Sequence, residues 1–66
     1  MRFEEALKAM RKGKKVFRKY YEKHCSNTPV CWIDKNNLRY GCYVNDEWEE
    51  YDIPNSDIIS EDWELK

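Results

Sequence analysis

The sequence predicts one α+β domain, in which an N-terminal amphipathic helix packs on an antiparallel sheet of about four strands, with a short helical turn near the C-terminus. Two patterns lead to this prediction. Apolar residues recur at helical spacing near the N-terminus, whereas β-branched and aromatic runs separated by turn residues begin at residue 15. The length of 66 residues corresponds to a single small domain, residues 1–66.

The first helix is predicted from the spacing of its apolar side chains. Four of them lie at positions i, i+3, i+4 and i+7, and therefore on one helical face: Phe3, Ala6, Leu7 and Met10. Acidic residues occupy the first turn and basic residues the last, as the helix dipole favours. Gly13 is expected to end the helix, because glycine readily adopts the left-handed conformation of a C-terminal cap.

Four extended segments are expected after this helix. Residues 15–21 contain Val16, Phe17, Tyr20 and Tyr21, which are typical of a strand, and residues 22–29 are polar and end in proline, which indicates a surface loop. The other strands are expected at residues 30–33, 38–44 and 48–53, the last at a sheet edge.

Turn residues separate these segments. Residues 34–37 and 45–46 are predicted to form turns because asparagine and aspartate tolerate positive φ. Gly41 indicates a bulge or a close approach of another group. Residues 57–63 suit a short helical turn, and residues 63–65 are a candidate terminal strand.

The charge is divided unequally along the chain. The net charge of −1 combines +6 in residues 1–24 with −7 in residues 25–66. We expect the two halves to pair with each other, because the basic residues alternate with apolar ones that face the core. Nucleic-acid binding through the basic half is the other interpretation of such asymmetry, but the acidic half argues against it.

Aromatic residues make up 15% of the chain, and large rings bury much area in a small fold or across a subunit contact. A chain of this length has difficulty forming a sufficient core alone. We therefore expect a homo-oligomer, either a dimer or a tetramer.

Three cysteines and no secretory or membrane-inserting segment predict a cytoplasmic protein with reduced thiols and no membrane contact. His24, Cys25, Cys31 and Cys42 have irregular spacing, unlike the paired knuckles of zinc sites. No metal and no cofactor are expected.

Catalytic patterns are lacking, so the chain is not expected to be an enzyme. It has no nucleophile with a base at a recognisable spacing and no glycine-rich phosphate loop. The carboxylates of Asp57, Glu61 and Asp62 are better explained as helix caps and solvated surface than as an acid–base group.

A cationic and aromatic segment is the best candidate for binding. Arg18, Lys19, Tyr20 and Tyr21 adjoin one another at the end of the first predicted strand, beside a polar loop. Arginine forms charge-assisted hydrogen bonds with phosphate, and a nucleobase stacks on an aromatic face. An anionic ligand that carries a flat base would suit this group.

Both ends of the chain resemble a known family. Residues 1–18 match the pattern M-x-F-x-E-A-L-x-x-x-x-x-G-K-K-V-x-R, and residues 57–63 read D-I-I-S-E-D-W. These patterns are similar to those of small phage and prophage proteins that include the second type of Thoeris anti-defence protein. The resemblance implies an oligomeric sponge that sequesters a glycocyclic ADP-ribose signal, or another cyclic nucleotide, without cleaving it.

A sponge of this kind would give individual residues the following roles. Arg18 would bind phosphate or ribose hydroxyls, Tyr21, Tyr20 and Trp48 would stack on the base, and Asp57 would accept hydrogen bonds from sugar or base groups. Residues 20–23 read Tyr-Tyr-Glu-Lys where the family commonly has Gly-Trp-Asn-Gly, so Tyr21 stands at the tryptophan position.

Two functional hypotheses follow. The first is a phage-encoded sponge that captures a nucleotide-derived messenger in a pocket shared between subunits. The alternative is a small interaction protein that docks on a host or phage protein through its acidic C-terminal half.

Overall fold

A computed structural model describes residues 1–66. Its helices are α1 (Phe3–Arg11), α2 (Lys19–His24) and α3 (Asn55–Ile58), and its strands are β1 (Val16–Arg18), β2 (Val30–Asp34), β3 (Asn37–Val44), β4 (Glu47–Glu50) and β5 (Trp63–Leu65). The strands form one antiparallel sheet in the order β4-β3-β2-β1-β5. The α+β prediction is confirmed, with five strands because the candidate terminal strand pairs with β1. None of the helices has the length and apolar character needed to cross a bilayer.

Hydrogen bonds cap both ends of α1, at the acidic first turn and at Gly13. The Glu5 carboxylate accepts a hydrogen bond of 3.2 Å from the backbone N–H of Arg2 before the helix. At the other end Gly13 has φ of 88°, its N–H donates to the Met10 carbonyl and the Lys14 N–H donates to the Ala9 carbonyl. These are the two hydrogen bonds of a Schellman motif.

The core lies between α1 and one face of the sheet. Ala6 and Met10 project from the helix onto four buried sheet residues, which are Val16, Cys31, Tyr40 and Trp63. Only nine of the 66 residues are buried, so the apolar core is small and polar contacts must fix part of the fold. We call the sheet face under α1 the inner face, and the opposite one the outer face.

Both hairpin turns were predicted correctly. Lys35 and Asn36 join β2 to β3 with φ of 51° and 75°, and Asn45 and Asp46 join β3 to β4 with φ of 53° and 65°. Two central residues with positive φ define the type I′ turn, whose twist matches that of the flanking strands.

The prediction of a strand through Tyr20 and Tyr21 is wrong. β1 ends at Arg18, and both tyrosines lie in α2, which also takes up the first part of the loop expected at residues 22–29. The cause is a tertiary contact. The Lys19 N–H donates to the Asp62 carbonyl at 3.1 Å, and the Tyr20 N–H donates to the Asp62 carboxylate at 2.9 Å. Asp62 thereby supplies acceptors for the first donors of α2.

Two further boundaries differ from prediction. β4 ends at Glu50 and not at Ile53: the Tyr51 N–H still donates to the Tyr40 carbonyl at 2.8 Å, and the Ile53 side chain packs against the core. The helical turn occupies Asn55–Ile58 and not residues 57–63, since the Pro54 carbonyl accepts the hydrogen bonds that begin it.

The basic and acidic halves pair as expected. Three arginine or lysine residues of the first half form four ion pairs with acids of the second half: Arg2–Glu61, Arg18–Asp57, Arg18–Asp62 and Lys19–Glu64. Much of the charge asymmetry along the chain is therefore neutralised within the fold.

The Gly41→Ala substitution should destabilise the protein by about 1–3 kcal/mol, because the sheet leaves no room for a methyl group there. A Cβ at this position would overlap the Glu49 carbonyl oxygen and approach the Trp48 ring to 2.9 Å. Urea unfolding followed by tryptophan fluorescence measures the change.

Gly13→Ala is the matched control, since a Cβ there would meet nothing within 4 Å and only the left-handed backbone opposes it. It should cost about 1 kcal/mol. Equal stability of the Gly41→Ala variant and the unsubstituted protein would contradict the close approach.

Candidate functional site

A fully buried carboxylate organises the end of the molecule that lies away from the hairpin between β2 and β3. Asp57 Oδ1 accepts hydrogen bonds from Arg18 Nη1 at 2.6 Å and from the Tyr21 hydroxyl at 2.8 Å, while Oδ2 accepts one from the Tyr40 hydroxyl at 2.7 Å. Together with Asp62 these residues form what we call the Asp57 cluster. Both Asp57 oxygens therefore have partners within the chain, as burial of a charge requires.

Arg18 joins this buried carboxylate to a second one nearer the surface. Its Nε and Nη2 atoms donate to the two oxygens of Asp62 at 2.7 and 3.2 Å, a bidentate geometry. The Arg18 side chain is only 13% exposed. The hydrogen bond with Asp62, and to a lesser extent the one with Asp57, raises the pKa of Arg18. The hydrogen bond from Arg18 in turn lowers the pKa of Asp62.

The two phenols of the cluster act as hydrogen-bond donors. Burial, followed by the hydrogen bond to Asp57, raises the pKa of both Tyr21 and Tyr40. Each hydroxyl therefore keeps its proton at neutral pH, and neither is suited to act as a base.

Five separate segments supply the cluster, one residue each: the end of β1, α2, β3, α3 and the residue before β5. The indole N–H of Trp63 donates to the Asp57 carbonyl at 2.8 Å, which fixes α3 against the core. The cluster thus connects parts of the chain that are far apart in sequence.

Beside the cluster, α2 forms one wall of an open depression of about 280 Å³, lined by Lys19, Tyr20, Lys23, His24 and Asp62. We call it the α2 cleft. Tyr20 is 50% exposed, and its ring lies 4.5 Å from the His24 ring with an interplanar angle of 37°. The Arg18 guanidinium lies 5.4 Å from the Tyr20 ring and 5.3 Å from the Tyr21 ring. Cations and exposed aromatic surface are therefore adjacent.

A larger depression of about 380 Å³ lies beside the start of α1 and the end of α3. The cation there is Arg2, which pairs with Glu61 at 3.0 Å, and Glu4 adds a further acid. Because its charge balance does not favour an anion, we take the α2 cleft as the candidate site.

Four of the five residues predicted for ligand binding are brought together: Arg18, Tyr20, Tyr21 and Asp57. Tyr20 faces the cleft, whereas Arg18, Tyr21 and Asp57 bond with one another beneath it. Trp48 is elsewhere, on the outer face in β4, where its ring lies 4.7 Å from Trp32.

Sequence reasoning missed Tyr40, Lys23 and His24, and it treated Asp62 only as a cap or surface residue. The alternation of β3 placed Tyr40 on a predicted apolar face, but nothing local in the sequence indicated its acidic partner. Lys23 and His24 join the cleft only because residues 19–24 are helical.

No three histidine, cysteine or acidic side chains are arranged to hold a metal ion. Of the cysteines, Cys31 and Cys42 are buried and Cys25 is exposed, all with free thiols.

The Asp57→Asn substitution should destabilise the fold by about 3–5 kcal/mol, because it leaves Arg18 without its buried negative partner. The amide N–H group would also face the hydrogen-bond donors that surround the carboxylate. For a domain of this size, such a loss approaches the whole free energy of unfolding. Urea titration monitored by circular dichroism measures it.

Glu61→Gln is the control, since it breaks the exposed ion pair with Arg2 and should change stability by at most about 1 kcal/mol. Similar unfolding midpoints for the two variants would show that the Asp57 cluster does not hold the fold together.

Stability should fall as the solution is acidified through the folded-state pKa of Asp62. That pKa lies below the unfolded value of about 3.9, so the contribution is fully present above the unfolded pKa and disappears at lower pH. Asp62→Asn should reduce the slope of unfolding free energy against pH in the range below about pH 4. Asp52→Asn, which removes an exposed carboxylate outside any ion pair, should leave the slope unchanged. An unaltered slope in the Asp62 variant would contradict this assignment.

Comparisons with known proteins agree with the motifs at both ends of the chain. Searches of curated proteins and of solved structures found no match. The sequence profile of the Thoeris anti-defense 2-like domain matches residues 1–66, the entire chain. The match includes the residues of the Asp57 cluster and of the α2 cleft. The chain therefore belongs to the Tad2-like family of Thoeris anti-defense 2-like domains.

Proposed function

We propose that this protein performs its Thoeris anti-defence role by binding and sequestering a nucleotide-derived immune messenger, either glycocyclic ADP-ribose or a cyclic oligonucleotide, without cleaving it. The observation that carries the proposal is the α2 cleft, in which a half-exposed tyrosine ring adjoins two lysines and a histidine. Family membership over the whole chain supports the same role.

The chemistry of the cleft suits phosphate and a base. Lys19 and Lys23 are exposed cations on its wall, and Lys19 has only a long ion pair of 3.4 Å with the exposed Glu64. A phosphate can displace so weak a partner. The half-exposed ring of Tyr20 offers a stacking surface, and stacking of a base on an aromatic ring contributes about 1–3 kcal/mol.

The buried residues hold this surface in place. Arg18 forms hydrogen bonds with two carboxylates, and Tyr21 forms one with Asp57. We therefore assign Arg18 and Tyr21 to positioning α2, and Tyr20 to direct contact with the ligand. Asp62 is partly exposed and can accept hydrogen bonds from ribose hydroxyls at the edge of the cleft. Such preorganisation reduces the entropic cost of binding.

Sequestration without cleavage fits the state of the ionisable groups beneath the cleft. Asp57 is buried with both oxygens bonded, and the pKa values of Tyr21 and Tyr40 are raised. None of these groups is free to move a proton on a ligand in the cleft.

A stabilisation screen tests the proposal. The full chain is unfolded in the presence of glycocyclic ADP-ribose isomers and of cyclic di- and trinucleotides, each at increasing concentration. A ligand at 100 times its dissociation constant should add about 2.7 kcal/mol to the free energy of unfolding. Chromatography of the ligand released by heating should return it unchanged.

Matched variants locate the binding site. Tyr20→Ala and Lys23→Ala should each weaken binding about tenfold or more, since each removes a contact worth at least about 1.4 kcal/mol. Lys8→Ala, which removes an exposed cation from α1, should bind as well as the unsubstituted protein. Absence of stabilisation by every ligand, or recovery of a cleaved product, would refute sequestration. A stoichiometric protein partner without any ligand response would favour the interaction-protein alternative.

A further inference from the structure

An apolar groove lies on the inner face of the sheet, between α1 and the hairpin that joins β2 to β3. Ile33 pairs with Leu38 near the end of this hairpin, one inner-face position beyond the core pair of Cys31 and Tyr40. β1 begins at Val16, opposite Cys31, so it supplies no residue beside Ile33. The inner face is therefore only partly covered at this corner of the molecule.

Three aliphatic side chains line this groove, which has a volume of about 280 Å³. We call it the hairpin groove, and its lining residues are Leu7, Arg11, Ile33, Asn36 and Leu38. Leu7 and Ile33 pack against the edge of the core, whereas Leu38 is 43% exposed. None of the lining residues is acidic or aromatic, so the groove differs in its chemistry from both depressions described above.

Cations without acidic partners lie around the hairpin groove. Arg11 lines it, and Lys8 is three positions earlier on α1, a spacing that makes the two side chains neighbours on the helix surface. Lys35 lies in the turn next to Asn36. All three cations are exposed, and none has a carboxylate within ion-pair distance. Every other arginine of the chain forms such a pair, so Arg11 is the exception.

The acids nearest to these cations in sequence make contacts elsewhere. Asp34 precedes Lys35, but its carboxylate accepts a hydrogen bond of 3.4 Å from Arg39 on the outer face. Glu4 lies one helical turn before Lys8, and it lines the depression beside the start of α1. The hairpin groove therefore combines an apolar surface with positive charge that the chain itself leaves uncompensated.

We propose that the hairpin groove docks an acidic segment of a partner protein, which places one apolar side chain between Leu7 and Leu38 and its carboxylates beside Arg11. Interfaces gain most of their binding energy from a few anchors that fill pockets at the centre of the contact. Arginine binds carboxylates through charge-assisted and often bidentate hydrogen bonds. Lys8 and Lys35 supply further ion pairs at the two sides of the groove.

This docking goes beyond the proposed sequestration and does not depend on it. The hairpin groove lies at the end of the molecule opposite the α2 cleft, and the two share no lining residue. Its charge is also opposite to that of the acidic C-terminal half, which the sequence suggested as a docking surface. A single chain can therefore hold a small ligand and an acidic protein segment on separate surfaces.

The shape and the chemistry of the groove favour a peptide over other anionic partners. A side chain that protrudes from a peptide can enter a depression, whereas a flat bilayer surface cannot reach its floor. Single-stranded nucleic acid gains affinity by stacking bases on aromatic rings, and the groove has none. The backbone of a duplex carries no apolar group to fill the groove. An acidic peptide supplies both the apolar group and the negative charge.

Selection of random displayed peptides on the full chain tests this proposal. The selected peptides should contain a leucine or phenylalanine flanked by aspartate and glutamate. Fluorescence polarisation measures their dissociation constants, which should increase with salt concentration because the ion pairs lie at the surface. Replacement of the apolar residue of the peptide by serine should increase the dissociation constant about tenfold or more. Selection of basic or uncharged peptides, or of none that bind, would overturn the proposal.

Two variants locate the peptide in the groove. Leu38→Ser removes apolar surface and Arg11→Glu reverses a charge, and each should raise the dissociation constant of a selected peptide about tenfold or more. Ile59→Ser and Lys66→Glu are the matched controls, because they make the same changes at exposed residues outside the groove and should leave the affinity unchanged. Circular dichroism confirms that each variant folds. Unchanged affinity in either groove variant would contradict the assignment.

Other occupants of the groove would give different results. Light scattering should return the same molar mass for the unsubstituted chain and for both groove variants, and a lower mass for the variants would assign the groove to a second copy. Binding of phosphatidylserine vesicles or of a DNA duplex that is weakened by Leu38→Ser would assign it to a membrane or to nucleic acid. Each of these outcomes would overturn the proposal. A chain that binds acidic peptides but no messenger would refute the proposed function alone, whereas a chain that binds a messenger but no acidic peptide would refute this inference alone.

Discussion

A carboxylate without any solvent exposure, Asp57, is the constraint on which the rest of the structure depends. Removing a charge from water is costly unless it gains an opposite charge and hydrogen bonds in return. Arg18, Tyr21 and Tyr40 supply these, and each comes from a different segment. Any fold that separated those segments would leave the Asp57 carboxylate buried without its partners. With only nine buried residues, the protein uses this polar cluster to fix what a larger apolar core would fix elsewhere.

The same cluster connects folding to the proposed site. Arg18 reaches Asp62, and Asp62 in turn accepts the Tyr20 N–H at the start of α2. The exposed Tyr20 ring is thus attached to the buried centre through two successive contacts. A surface held in this way is ordered before any ligand arrives, which would suit the sequestration proposed above.

Local rules predicted much of the fold. The helical spacing from Phe3 to Met10, the cap at Gly13 and the asparagine turns all depend on near neighbours, and the structure confirms them. Tyr20 and Tyr21 were assigned to a strand because aromatic residues favour strands, but Asp62, some forty residues later, begins a helix there. Arg18, Tyr21 and Asp57 were predicted as ligand contacts, and nothing in the sequence indicated that they bond with one another. Trp48 could not be placed from the sequence, since its position depends on the order of strands across the sheet.

The two hairpins tolerate changes in length less well than the connection that follows α2. Each hairpin closes with two residues of positive φ. A shift of one residue in the pairing would move the side chains of a whole strand to the opposite face of the sheet. The segment from Cys25 to Pro29 has no such restriction, and loops of this kind accept insertions at small entropic cost. It adjoins His24 at the rim of the α2 cleft. Changes in the length of this one loop can therefore reshape the rim of the α2 cleft while the paired strands keep their register.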